Sequence, residues 1–311
     1  MARPAPPTAT ADPPPEGHAP AVIEATPEFE AAAARADSRR GFLLALPSYL
    51  YLVLFFAVPF GIVVVYSIAT RNTIGGTDLT GWNLDSYRRL GEPIVRDILF
   101  RSLWIALLTT LICLVVAYPF AYFIATRTPT VRNILLVGVM IPFWTNFLVR
   151  NYAWRVIIGT DGPFTTVTEA IGLGPREILF THSAVILGLV YGYLPFMVLP
   201  LYAAIERIDG SLIEAGRDLY ASGAQTFRRV LLPLSMPGVL AGSILVFVPS
   251  LGAYVTPQIL GGGKSTMLGS YIVVQFLTAR NWPLGASLSF VLMTVMLAAT
   301  LIYFRAGGRT L

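Results

Sequence analysis

Read along its hydrophobic and polar positions, the chain is a series of long apolar stretches separated by short polar ones. Thirty consecutive residues between Arg40 and Arg71 contain no Asp, Glu, Lys or Arg, and further charge-free runs cover 102–126, 133–149, 178–205, 230–263 and 281–304. A helix rising about 1.5 Å per residue needs about 20 mostly apolar residues to cross a hydrocarbon core of roughly 30 Å. Four runs exceed that length and 281–304 meets it. The run 133–149 reaches it once Val131 and the snorkelling ends Arg132 and Arg150 are added. None alternates as barrel strands do, so helices are the elements that satisfy their own backbone groups in lipid. The pattern predicts an all-α membrane protein with six transmembrane helices, at Phe42–Thr70 and near 102–126, 133–149, 183–205, 234–256 and 285–304. Pro47 and Pro59 in the first span, and Pro195 and Pro200 in the fourth, are the expected kink sites.

The polar intervals add organisation. The short turn between Arg127 and Arg132 makes spans two and three an antiparallel hairpin. Asn151–Gly159 is expected to form a short interfacial helix, and the apolar piece Met267–Leu277 is too short to cross. Residues 1–40 differ from the rest: they are rich in Ala and Pro, include Pro13-Pro14-Pro15, and keep no apolar period. They read as a disordered tail with transient helix around Phe29–Ala36. The first apolar stretch is too long, and starts too late, to be a secretory signal.

Composition sharpens the class. Charged residues make up 13% of the chain and apolar types 55%, with a mean hydropathy of +0.67; a soluble domain carries about 25% charged residues. The formal net charge of +5 does not imply nucleic acid here, because the cations flank spans and orient the protein in the bilayer. Arg35, Arg39 and Arg40 before span one, and Arg127 and Arg132 in a short turn, favour an inside N-terminus. An even number of spans then puts the C-terminus inside as well. Cys113 is the single cysteine, so no intrachain disulfide or cysteine-based zinc site forms. His182 starts span four and His18 lies in the tail; neither has a second ligand in sequence reach.

Enzymatic motifs are missing where they would be needed. Gly261-Gly262-Gly263-Lys264-Ser265-Thr266 resembles a phosphate-binding loop, but its required first glycine is Gln258, and it follows a span rather than a strand. The chain has no nucleotide site of its own on this reading, and no H-E-x-x-H or G-x-S-x-G nucleophile motif.

The segment 206–233, ERIDGSLIEAGRDLYASGAQTFRRVLLP, is the most distinctive polar stretch. Ile208, Leu212, Ile213 and Leu219, and later Phe227, Val230 and Leu231, fall at helical spacing and predict two short amphipathic helices. An ordinary linker lying on the bilayer has the same pattern. Glu214-Ala215-Gly216, with Val230-Leu231-Leu232-Pro233 at the right distance, resembles the E-A-A loop of permease subunits of binding-protein-dependent ABC importers. That motif reads E-A-A, three residues, Gly, nine residues, then Ile-x-Leu-Pro. The chain matches at Glu214, Ala215, Leu232 and Pro233, and replaces Ile by Val230. It departs at Gly216, where the family has Ala, and at Tyr220, where it has the Gly that separates the two helices. Two replacements for that turn are open: Gly223 three residues on, or Tyr220 itself entering the ATPase groove.

The resemblance extends to IPFWTNFLVRNYAW (Ile141–Trp154), LPFMVLPLYAAIERID (Leu194–Asp209) and VQFLTARNWPLGAS (Val274–Ser287). These strings are similar to the first permease of spermidine/putrescine-type uptake systems. It implies a type I importer permease fold with N- and C-termini cytoplasmic, in the bacterial inner membrane. It divides the chain into the tail 1–40, a first helix and external loop 41–96, and a transmembrane domain 97–305 carrying the coupling loop. The implied partners are a second permease forming a heterodimer, two ATP-binding subunits and a periplasmic substrate-binding protein. No cofactor binds this chain; ATP and Mg belong to the partner ATPase. Glu214, Ala215, Gly216, Leu219, Tyr220, Gly223, Leu232 and Pro233 are the implied ATPase-coupling residues.

For the substrate path, Trp144, Asn146, Tyr152 and Trp154 cluster around span three, Tyr191 and Tyr193 lie in span four, and Ser250 and Tyr254 in span five. Aromatic faces attract ammonium groups by about 0.5–2 kcal/mol each, although Trp and Tyr near span ends also serve as interfacial anchors. No carboxylate lies inside a predicted span and Arg150 repels cations locally, so selection is expected in the separate binding protein. The cargo is a small organic amine of the polyamine kind, with opine, phosphonate or amino-acid-derivative carriage the alternative. A stand-alone secondary transporter or channel, the reading from another class, would show ionisable residues within spans or inverted repeats, and neither is visible.

Overall fold

The computed structural model describes residues 27–72, 76–172, 174 and 177–307; residues 1–26 of the expected tail, with His18, lie outside them. Helix α1 (Pro27–Ser67) starts well before residue 41. Pro27 suits the first helical position, and Glu28–Ala36 is a run of strong helix formers that continues into the apolar stretch. The structure thus places residues 27–40, including the stretch Phe29–Ala36 expected to be transiently helical, in α1. The chain divides into two units, 1–59 and 60–311. In the first, α1 exposes apolar side chains all round, Leu50, Leu52, Leu54 and Phe56 among them, as a helix made for lipid does.

In the second unit a two-stranded antiparallel ribbon, β1 (Thr70–Arg71) with β2 (Thr77–Asp78), precedes α2 (Asp85–Arg89). There follow α3 (Pro93–Ala125), α4 (Pro129–Trp144), α5 (Phe147–Ile157), α6 (Pro163–Ala170) and α7 (His182–Glu206). After α8 (Gly210–Asp218) and α9 (Gly223–Thr226) comes a π-helical turn, Phe227–Leu231, then α10 (Leu232–Leu234) and α11 (Met236–Leu251). A second π turn, Pro257–Gly261, and a 3-10 turn, Gly262–Ser265, lead to α12 (Leu268–Leu277) and α13 (Trp282–Gly307).

Among the described residues, four helices are long and apolar enough to span a bilayer: Leu44–Ser67 of α1, α3, α7 and Trp282–Ile302 of α13. The other two expected spans are broken. Helices α4 and α5 meet at 86° instead of continuing through 133–149, because Asn146 ends the apolar run by capping α5: its Oδ1 accepts from Leu148 N (2.9 Å) and Val149 N (3.4 Å). The interfacial helix expected from Asn151 thus begins at Phe147. The segment Gly223–Leu234 meets α11 at 69°, and α11 ends at Leu251 rather than near 256.

The core is built from α3, α7 and α11. Cys113, Ala117, Tyr118, Ala121 and Ile124 pack with Met197, Val198, Leu201, Ile205, Val239 and Val246, and α4 joins them through the buried Val139 with Leu135 and Leu136 packed alongside. Close approach of α11 to α7 depends on Gly238 and Gly242. A Cβ on Gly238 would lie 2.5 Å from Ala204 Cβ and 2.7 Å from Pro200 O; one on Gly242 would lie 2.7 Å from Met197 Sδ. Small residues four apart are the usual means by which membrane helices pack closely.

Candidate functional site

The 206–233 segment forms an elbow rather than a loose linker. Asp209 caps α8: its Oδ1 accepts from Ser211 N at 2.9 Å. That backbone bond, with the Ser211 side chain, holds the Asp209 carboxyl below its ordinary range. The underside of α8 is apolar, and Ile208 and Ile213 pack against the α3–α7–α11 core. Gly216 faces Thr226 on α9, where a Cβ would meet Thr226 Oγ1 at an ordinary 3.5 Å, so the family's alanine fits.

The two helices are separated at Tyr220. Its φ is 57°, and Ala221 N donates to Gly216 O at 3.1 Å, the long bond that closes a helix on a left-handed residue. Tyr220 therefore takes the conformation for which glycine is favoured. Gly223 is not the turn; it opens α9 behind Ser222, whose Oγ accepts from Gln225 N (3.3 Å) while Gln225 Oε1 accepts from Ser222 N (2.9 Å). Because α8 stops at Asp218, Leu219 leaves the apolar face on which its spacing placed it. Leu219 and Tyr220 are 82% and 97% exposed, side by side at the vertex, with Glu214 and Ala215 also exposed. Val230 and Leu232 are half-buried, and Leu231 is buried in the core.

Pro233 cannot donate a backbone bond, and just before it the helix widens, with Leu232 N donating to Phe227 O. Ser235 then marks the bend into α11. Its Oγ donates to Leu232 O (3.2 Å), so the Tyr118 hydroxyl is the donor in the 2.7 Å bond between Tyr118 and Ser235. The Tyr118 ring meets Phe227 edge-on at 5.2 Å. A cavity of about 580 Å³, lined by Tyr118, Tyr122, Ile213, Thr226, Phe227 and Leu231 among others, lies between α3 and the elbow. Tyr118 and Ser235 read as ordinary span residues in sequence. Only the GxxxG spacing of Gly238 and Gly242 marks this region as one of tight helix contact.

A second polar attachment fixes the root of the elbow. Arg132 Nη1 pairs with Glu206 Oε1 at 2.6 Å, joining α4 to the last residue of α7. Nothing in the sequence spacing links these residues.

The eight path candidates separate into groups. Trp154 and Tyr191 meet edge-on at 5.4 Å, in a cleft shared with Phe147, Arg150, Asn151, Gly188 and Gly192. Tyr193, two residues along α7 and so on another face, donates to Pro249 O at 3.3 Å, beside the buried Ser250, whose Oγ has no protein partner. Trp144 and Asn146 flank the α4–α5 break, and Trp144 is 73% exposed; Tyr152 is exposed on α5 and Tyr254 lies beyond the end of α11. The Arg150 guanidinium sits 5.7 Å from the centroids of both Phe143 and Phe147, with Nε and Nη1 buried and unpartnered. His182 Nδ1 and Ser265 Oγ are 2.7 Å apart, and among the described residues no His, Cys, Asp or Glu cluster suits a metal.

Residues 31–307 match the family of binding-protein-dependent transport system inner membrane components. The spermidine/putrescine transport system permease protein PotB of Escherichia coli K12 is 44% identical over 259 residues, which is 83% of this chain and 94% of that protein. PotB of Haemophilus influenzae is 40% identical over 261 residues, covering 83% and 90%. Among solved structures, a chain of the bacterial alginate ABC transporter, crystallised with its alginate pentasaccharide-bound periplasmic protein, superposes with a TM-score of 0.71. It covers 88% of this chain and 97% of that one at 16% identity, a likeness of fold alone. With one family spanning nearly all of the chain, and these permeases similar over most of it, the protein belongs to the inner-membrane permeases of binding-protein-dependent ABC importers.

Proposed function

We propose that this chain is one of two permease subunits of an ATP-driven importer for polyamines such as spermidine and putrescine. The observation that carries the reading is the 44% identity to PotB over 83% of the chain. Two ATPase subunits bind on the cytoplasmic side, a second permease completes the translocation path, and a periplasmic binding protein delivers the amine. Each bent helix pair counts as one span, giving six spans with both termini cytoplasmic. The elbow docks through Glu214, Ala215, Leu219 and Tyr220 into the ATPase, and ATP-driven closure moves it as a lever against the core. Trp154 and Tyr191 offer aromatic faces to a passing ammonium, and with no acid among them the path conducts while the binding protein selects.

The test is uptake of labelled spermidine and putrescine into vesicles holding the complete complex and its binding protein. ATP-dependent uptake of a polyamine, competed by other polyamines but not by opines or phosphonates, is expected. Vesicles that accumulate one of those other solutes and no polyamine would overturn the cargo.

A further inference from the structure

The Arg132–Glu206 pair is the one ion pair among the described residues that joins two helices; Asp85–Arg88 and Arg89–Glu92 are local, three residues apart. Its location gives it mechanical meaning. Glu206 is the last residue of α7, from which the elbow departs, and Arg132 lies in the first turn of α4, just after the reversal from α3. Tyr202, one turn before Glu206, lies close enough to interact with the same carboxylate. Arg132 Nε is buried without a partner, so Glu206 is the acceptor that holds this guanidinium in place.

Helix α4 packs on the core through Leu135, Leu136 and Val139 and meets α7 where Phe143 lies edge-on to Phe196 at 5.2 Å, so its remaining contacts are apolar. Val139 is its one buried residue, and beyond Trp144 the chain turns by 86° into α5, which carries Trp154 against Tyr191. The elbow is already coupled to α3, α7 and α11 by apolar packing and by the Tyr118–Ser235 bond. The ion pair is the polar contact that ties the first turn of α4 to the root of the elbow.

We infer that Arg132 and Glu206 are positioning residues that transmit movement of the elbow to the α4–α5 bent pair, and so to the aromatic cleft. The inference rests on the importer reading above. With side chains 25% and 37% exposed, this pair adds little net stability, and its geometry fixes one arrangement of α4 on α7. Loss of this pair therefore uncouples transport from ATP hydrolysis more than it unfolds the protein.

The experiment measures ATP hydrolysed per amine imported by the complete complex in vesicles, for wild type, Arg132→Gln, Glu206→Gln and the exchange Arg132→Glu/Glu206→Arg. Each single variant is expected to assemble and to hydrolyse ATP, yet to need about five-fold more ATP per amine, the lower end of ordinary coupling between sites. The exchange is expected to bring the ratio back to within about two-fold of wild type, as restored pairing predicts. A purely structural role would lower abundance and thermal midpoint at an unchanged ratio, and that outcome overturns the inference, as does failure of the exchange to rescue. If the glutamine variants do not insert, Glu206→Asp, which keeps the charge on a shorter arm, is read in the same way. Wild-type uptake serves as the separate control: if the wild type imports no polyamine, the cargo assignment fails, while the ratio for whatever amine it carries still decides the role of the pair.

Discussion

Tyr220 stands where the resembled E-A-A motif has glycine, and it adopts a left-handed backbone conformation with a fully exposed ring. A left-handed non-glycine residue costs about 1 kcal/mol or more, and in the proposed docking the exposed ring offsets that strain against the ATPase. Tyr220→Gly is expected to stabilise the turn by about 1 kcal/mol, read as a raised thermal midpoint. It is also expected to weaken ATPase association by about ten-fold, as loss of an exposed aromatic anchor does; a pull-down titration in detergent checks the second half. Asp209 gives a pH prediction at the same scale. Its carboxyl is held below the usual range by the Ser211 backbone N–H, so the cap's contribution is present above the unfolded pKa of 3.8 and is lost as pH falls through the lower folded value. Hydrogen exchange in α8, corrected for intrinsic rates, should show protection that is flat near neutrality and falls only in strong acid. Asp209→Asn should remove that acid step and Asp209→Ala should fray the helix at every pH.

Elements were legible in sequence wherever hydrophobicity alone decides them. The apolar runs at 102–126, 178–205 and 281–304 became α3, α7 and α13 because a long uncharged stretch in lipid has only the helix to satisfy its backbone. The runs 133–149 and 230–263 left their bends unseen, since absence of charge does not reveal a break: Asn146 caps α5 and Ser235 stands at the bend into α11 without adding charge. Leu219 misled for a related reason, as helical spacing counts residues past the point where Tyr220 closes α8. Helix contact also escapes hydropathy, which scores glycine as nearly neutral. Gly238→Ile is expected to push α11 away from Pro200 and Ala204 on α7, costing about 1–3 kcal/mol as overpacking does. A lowered thermal midpoint in detergent, with the same change at Gly61, where a Cβ meets nothing within 4 Å, as control, checks it.

At the scale of the molecule, the proposed topology of six spans with inside termini puts the elbow and the Gly262–Ser265 turn on opposite sides of the membrane. Cys113 is free and fully buried, so the natural chain is a silent background for thiol labelling. Ser222→Cys is expected to react with an impermeant maleimide only from the cytoplasmic side, and Lys264→Cys only from outside; labelling of both from one side would refute the topology. Sequence by itself determined the membrane class, the apolar helices and the elbow's existence, since charge distribution and the spacing of Glu214, Ala215, Leu232 and Pro233 are one-dimensional properties set by burial in lipid and by a short motif. The tertiary structure decided what depends on residues meeting across long separations: that Tyr118 donates to Ser235, that Arg132 reaches Glu206, that Tyr191 and Tyr193 serve different faces, and that the chain turns at Tyr220. Such contacts are fixed by how helices cross and where they bend, and hydropathy along a chain carries neither quantity.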